Sequence, residues 1–248
     1  MSIYHNVFTK NAFDTPEKIE LLKRYIYTGE PVSAQISEIK TEEVPIIIEK
    51  KEVPASVFYP DKKDTLFWCI FVANNGMAEY ESIGRGYSNI EIDEKHKITN
   101  YIKGQPNRLK NTNHKITNVV IQEIMSDVLT NNMLNVQSLL ALAVFYKKRI
   151  ILTKGNKFYI DICPTDEVVG TIVLLKNDKG EYGLGTNDMI DKIESEQFCM
   201  QKYDRPLNAV SNLSIDELKQ ISNKVGFEMK GKYTKPVLYQ ELTRYCLW

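Results

Sequence analysis

Two groups of side chains in this chain could do chemistry, a thiol and a set of ammonium groups. Cys69 sits within Asp64 to Gly76, DTLFWCIFVANNG, where Asp64 or Thr65 can cap a helix. A cysteine near a helix N-terminus becomes a nucleophile when its pKa falls and a histidine takes its proton. The three histidines, His5, His96 and His114, all lie outside that run, and Phe67, Trp68 and Phe71 around the thiol are core residues. The residue types therefore favour an inert, buried thiol. Cys69 stands as the sole nucleophile candidate, and no catalytic residue is assigned. The second group is Lys230, Lys232 and Lys235, which flank Thr234 at the start of a predicted helix. Ammonium groups and the free N–H groups of a helix start both bind phosphate oxygens, so this cluster reads as a nucleic-acid contact.

Other combinations favour structure over chemistry. Lys103, Arg108, Lys110 and Lys115, with Tyr101 for stacking, could form a second phosphate-facing patch, but the segment reads as a solvated loop. Asp161, Asp166 and Glu167 have no partner cluster that would hold a cation. Cys69, Cys163, Cys199 and Cys246 are scattered, with no CxxC pair, so zinc is not expected and a reducing compartment is. Gly84-Arg85-Gly86 and Gly183-Leu184-Gly185 lack the further glycine of a phosphate loop and read as turns. No cofactor and no metal are expected.

The elements that must position these groups follow from periodicity. Asn135 to Ile162 is the densest apolar run. Leu139, Leu140, Leu142, Ala143 and Tyr146 predict a buried helix. Ile150 to Leu152 and Phe158, Ile160 and Ile162 predict a hairpin around Gly155. Val168 to Leu175 and Tyr182 to Leu184 predict a second hairpin around Asn177 to Gly180. Further helices are expected from Thr15, from Asp64, beyond Asp93, over Ile116 to Leu129 and over Asp188 to Cys199. Edge strands are expected at Ile46 to Ile48 and Val57 to Tyr59. The fold class is α+β: a mixed helix and β-hairpin body with a small C-terminal two-helix module. Its boundaries are 1–63 for an N-terminal helix and arm, 64–203 for the core, and 207–248 for the module.

That module has complete start signals. Ser214 and Glu217 form a capping box, and Leu213 and Leu218 a hydrophobic staple. Leu218, Ile221 and Val225 face inward and Gly226 stops the helix. Thr234 caps the second helix, with Pro236 in its first turn and Leu238, Leu242 and Tyr245 as its stripe. Through Leu213, Leu218, Ile221, Val225, Gly226, Lys232, Thr234, Lys235, Leu238 and Leu242 the tail resembles the SAP and Rho-N-terminal-like helix-loop-helix modules. The resemblance implies nucleic-acid contact, DNA first, in the last sixth of the chain.

Asp64 and Cys69, followed by the helix and strand pair ending at Ile162, resemble the nucleophile region of papain-like and OTU-type cysteine peptidases. Lys157, Phe158 and Tyr159 stand where the histidine of such enzymes would fall. The resemblance therefore implies an inactive relative. The run Leu66 to Val72, then Leu139 to Ile162, then the tail resembles uncharacterised proteins of nucleocytoplasmic large DNA viruses. That implies host cytoplasm, at a viral factory, or the virion, with viral proteins or a second copy as further partners.

Lysine plus arginine equals aspartate plus glutamate, so the net charge is zero and a globally basic binder is excluded, though a local basic face is not. No run approaches the roughly 18 apolar residues of a membrane span. Met1 to Lys10 has no signal-like apolar stretch, and Ser2 breaks the myristoylation pattern. A DNA-associated, non-enzymatic, intracellular protein is expected, with an inactive cysteine-peptidase-like fold or a structural virion or interaction protein as the alternatives.

Overall fold

A computed structural model describes residues 57–229 and 231–248. The helix from Thr15, the strand at Ile46 to Ile48 and Lys230 lie outside the described residues. Eight α-helices and a five-stranded mixed sheet make up the described part, an α+β arrangement. In chain order the helices are α1 (Thr65–Asn75), α2 (Met77–Ser82), α3 (Tyr87–Gly104), α4 (Asn118–Thr130), α5 (Leu139–Tyr146), α6 (Ile190–Glu196), α7 (Ile215–Val225) and α8 (Lys235–Cys246). The strands are β1 (Arg149–Lys154), β2 (Phe158–Ile162), β3 (Thr171–Lys176), β4 (Tyr182–Leu184) and β5 (Phe198–Met200). No described helix is long and apolar enough to cross a membrane.

Local chemistry sets the element ends. Asp64 accepts the N–H of Phe67 and starts α1, and Thr117 does the same for Val120 at α4. The helix α5 ends at Lys147 in the left-handed region, with the Lys147 and Lys148 N–H groups both reaching the Ala143 carbonyl. Glycine would be the usual residue there.

The strand order is β4-β3-β1-β2-β5. The pairs β1–β2 and β3–β4 are antiparallel hairpins, while β1–β3 and β2–β5 run parallel. Two parallel partners make the C-terminal ends of β1 and β3 coincide, with Lys154 opposite Lys176. Alternation along β1 sends Ile150 and Leu152 into the main core and Ile151 to the other face, where Tyr159, Val173 and Ile193 meet it. Both faces are covered, which is why Ile150, Ile151 and Leu152 are apolar in succession.

Several expectations are corrected. The segment read as a solvated loop continues α3 to Gly104 and then forms a 3₁₀ turn that buries Leu109. The helix expected to reach Cys199 stops at Glu196, and Phe198 to Met200 becomes β5, because a parallel partner, β2, is available to it. Gly183 is not in a turn. It sits in β4, where a β-carbon would come within 2.6 Å of Val57 and 2.7 Å of Tyr59. The absent side chain lets the strand-like Val57 to Tyr59 segment pair with β4 through Phe58 and Leu184.

Candidate nucleic-acid interface

The thiol is buried. Cys69 has no exposed surface, and its Sγ donates to the Tyr182 carbonyl at 3.3 Å. Burial, and then the charge of Asp64, push its pKa far above the usual thiol range. Of the described histidines, His96 is exposed on α3 and His114 is bonded to the Asp161 carbonyl at 2.8 Å. A thiol reagent at pH 8 is expected to modify exposed Cys199 first. Cys69 and Cys246, the latter pushed up to about 11 by burial, should react only in denaturant. Mass spectrometry of the labelled native protein checks this, and labelling of Cys69 at the rate of Cys199 would reinstate it as a nucleophile.

Beside that thiol lies a buried ion network. Lys95 Nζ donates to Asp64 Oδ2 at 2.8 Å and to Glu91 Oε1 at 2.7 Å, and Trp68 Nε1 donates to Glu91 Oε2 at 3.0 Å. Asp64 also accepts the N–H groups of Phe67 and Leu134. Each charge is paired within the network, so it joins α1, α3 and the start of the α5 segment without offering a free group. Asp161 is held bidentately by Arg149, Glu167 pairs with Lys147, and Asp166 accepts from Asn111. Among the described residues no acidic, histidine or cysteine group is placed to hold a metal ion.

The C-terminal pair is built as the caps indicate. Ser214 and Glu217 form the reciprocal capping box, and Gly226 ends α7 in the left-handed region. The arrangement of α7 and α8 is less obvious. Lys235 lies close enough to Glu217 to hold that carboxyl below its usual range, behind the larger effect of the Ser214 hydrogen bonds. At the other end Tyr245 packs on Phe227, with ring centroids 5.4 Å apart, and its hydroxyl donates to the Gly226 carbonyl. The end of α8 therefore meets the end of α7. Residues 226–234 can span the return: at about 3.3 Å per residue they reach roughly 30 Å, against about 17 Å for a helix of this length. Lys232 and Thr234 are exposed on this connector and Lys235 is half-buried. Thr234 is the N-cap residue but its side chain makes no capping bond.

The connector opens onto a surface that the sequence reading did not pick out. Lys157 Nζ donates to the Tyr245 hydroxyl and stands 5.0 Å from that ring. Lys154 lies 5.9 Å from the Trp248 ring and 6.0 Å from Phe158, and Lys176 lies 5.5 Å from both Trp248 and Tyr182. Among the described residues no carboxylate pairs with any of the three. Burial, and then the neighbouring charge of Lys154, hold the Lys176 ammonium below the usual lysine range. The signal was present as a repeat: both hairpin turns read Lys-x-x-Lys, Lys154 to Lys157 and Lys176 to Lys179. Only the parallel pairing of β1 and β3 puts the two turns side by side.

The tail also shares the body's core. Leu218, Val225, Leu238, Leu242 and Cys246 belong to the same buried cluster as α1, α5 and the sheet. Arg108 of the other basic segment is turned onto Tyr101, donating to its hydroxyl at 2.6 Å. No family model, no curated protein and no solved structure matches this chain.

Proposed function

We propose that this protein binds nucleic acid, seating the phosphate backbone on the surface formed by the β1–β2 and β3–β4 turns and the ends of α7 and α8. The observation that carries this reading is the cluster of Lys154, Lys157 and Lys176 over aromatic rings with no pairing carboxylate among the described residues. Like charges held this close, with one of them depressed in pKa, favour an anion between them. Rings beneath ammonium groups are the usual floor of a strand-binding groove. The connector residues Lys232, Thr234 and Lys235, at the opposite end of α8 from Tyr245, would add phosphate contacts about a helix length from that cluster.

A purely structural role competes, because Lys154 also donates to the Leu247 carbonyl and Lys157 to Tyr245. Each ammonium has three donors, so one internal bond leaves capacity for phosphate. The Lys176 ammonium makes no internal hydrogen bond among the described residues. DNA is the first expectation, from the resemblance of the tail.

Fluorescence anisotropy with labelled DNA and RNA oligonucleotides tests the reading. Wild type should bind with strong salt dependence between about 50 and 200 mM. Lys176→Glu with Lys179→Glu should weaken binding about 10-fold or more and reduce the salt slope by roughly 2. Thermal melting controls for the fold. Equal affinity of wild type and the charge-reversed pair would remove the proposal.

A further inference from the structure

We infer that the cavity between α4, α5 and the end of β2 receives a single six-membered heteroaromatic ring, that of a pyrimidine base. The cavity measures about 100 Å³, with Val120, Leu140 and Ile160 among its apolar walls and His114, Lys115 and Gln137 among its polar ones. An apolar cavity of about 150 Å³ holds benzene, so this smaller, partly open space has no room for a fused pair and takes one ring only with part of it at the mouth.

The polar groups at its wall have fixed roles. A carbonyl oxygen only accepts, so His114 Nε2 must carry the proton it donates to Asp161 at 2.8 Å. In the neutral ring Nδ1 is then an acceptor. Burial keeps the imidazole pKa below its usual value, which preserves that neutral form. The Tyr203 hydroxyl donates to Gln137 Oε1 at 3.0 Å, which leaves the Gln137 amide N–H groups as donors. Lys202 donates to the Lys115 carbonyl at 2.9 Å, which ties together two residues of the cavity lining. One acceptor beside donors complements the N–H and carbonyl edge of uracil, thymine or cytosine. A plain hydrocarbon ring or an aliphatic chain would leave those groups unpaired.

The base could arrive free or in a strand. The strand form rests on the nucleic-acid binding proposed above, and ring binding does not. β2 joins the two places, since Phe158 lies under Lys154 and Ile162 lines the cavity. Four residue steps separate them, about 13 Å.

Titration of the full chain with uridine, cytidine and adenosine, followed by NMR, separates these cases from failure. Uridine or cytidine should saturate, with adenosine at least about 5-fold weaker. Val120→Phe, which fills the cavity, and Gln137→Leu, which removes the donor, should each weaken pyrimidine binding about 10-fold. Two variants guard against one failing to fold. An oligothymidine and an abasic strand of equal length form the second arm, with the abasic strand expected about 10-fold weaker. Nucleoside binding without strand binding supports the cavity and overturns the nucleic-acid reading. Equal binding of the two strands, with no nucleoside bound, overturns the cavity and leaves the phosphate surface standing. Base-dependent strand binding with no nucleoside saturation supports a strand as the source. Equal affinity for adenosine, or full affinity in both variants, overturns the assignment of the ring to this cavity.

Discussion

Lys95→Met is expected to lower the stability of the fold by about 3–5 kcal/mol, the range for removing one partner of a buried pair. Lys95 is 5% exposed and, among the described residues, is the only cation paired with either of two carboxylates, Asp64 at 1% and Glu91 at 9%. Methionine fills much of the same volume, so the loss comes from charge left unpaired and not from a void. Asp64 cannot escape to solvent, because its carboxylate also anchors the Phe67 and Leu134 N–H groups. Urea melts of the purified variant measure the effect.

The pH dependence carries a sign. Burial already raises the Asp64 pKa, against the pull of Lys95, and removing Lys95 raises it further. A carboxyl whose folded pKa is raised binds its proton more readily in the folded state. Its ionised form therefore costs stability above the folded pKa, and that cost fades as pH falls through it. The deficit of Lys95→Met should thus shrink as pH falls from neutral toward the usual carboxylate range. Adding Asp64→Asn and Glu91→Gln should recover much of the loss at pH 7. A single variant that melts like wild type would show that the network is not buried as described.

Trp248→Ala is expected to cost about 2 kcal/mol, below the 3–5 kcal/mol of a fully buried tryptophan because the ring is half-buried. The ring packs on Phe158 at 6.3 Å between centroids, its Nε1 lies 3.5 Å from the Tyr182 hydroxyl, and Lys154 and Lys176 stand over it. Each cation–ring contact is worth about 0.5–1 kcal/mol at such a site. Because the tail and sheet share one buried cluster, the whole melting transition should move down as one. Trp248→Phe should retain about half the loss. Circular dichroism at two wavelengths checks both points. An unchanged midpoint, or separate early melting of the tail, would mean that α8 does not depend on this ring for its seat.

Much of the local structure was legible in residue order. The α7 start at Ser214 and Glu217, the α1 cap at Asp64, the Gly226 stop and both hairpins were all read from neighbours within a few positions. The inert environment of Cys69 followed from the aromatic residues beside it and the lack of a nearby histidine. The reading missed β5, the buried Leu109 and the use of Gly183 in a strand. Each of these depends on a partner far along the chain: β2 for Phe198 to Met200, the core for Leu109, and Val57 to Tyr59 for Gly183.

By itself, then, the order of residues determined most of the longer helices, both hairpins and many of their ends, and that no histidine lies within the run around the first thiol. Caps, turns and apolar periods act over one to four residues and are written directly in the chain. Tertiary structure alone decided that β1 and β3 run parallel, that the end of α8 meets the end of α7, and that two lysine-flanked turns meet beneath Trp248. Those outcomes depend on which apolar faces find each other across the core, and no short stretch of sequence encodes that choice.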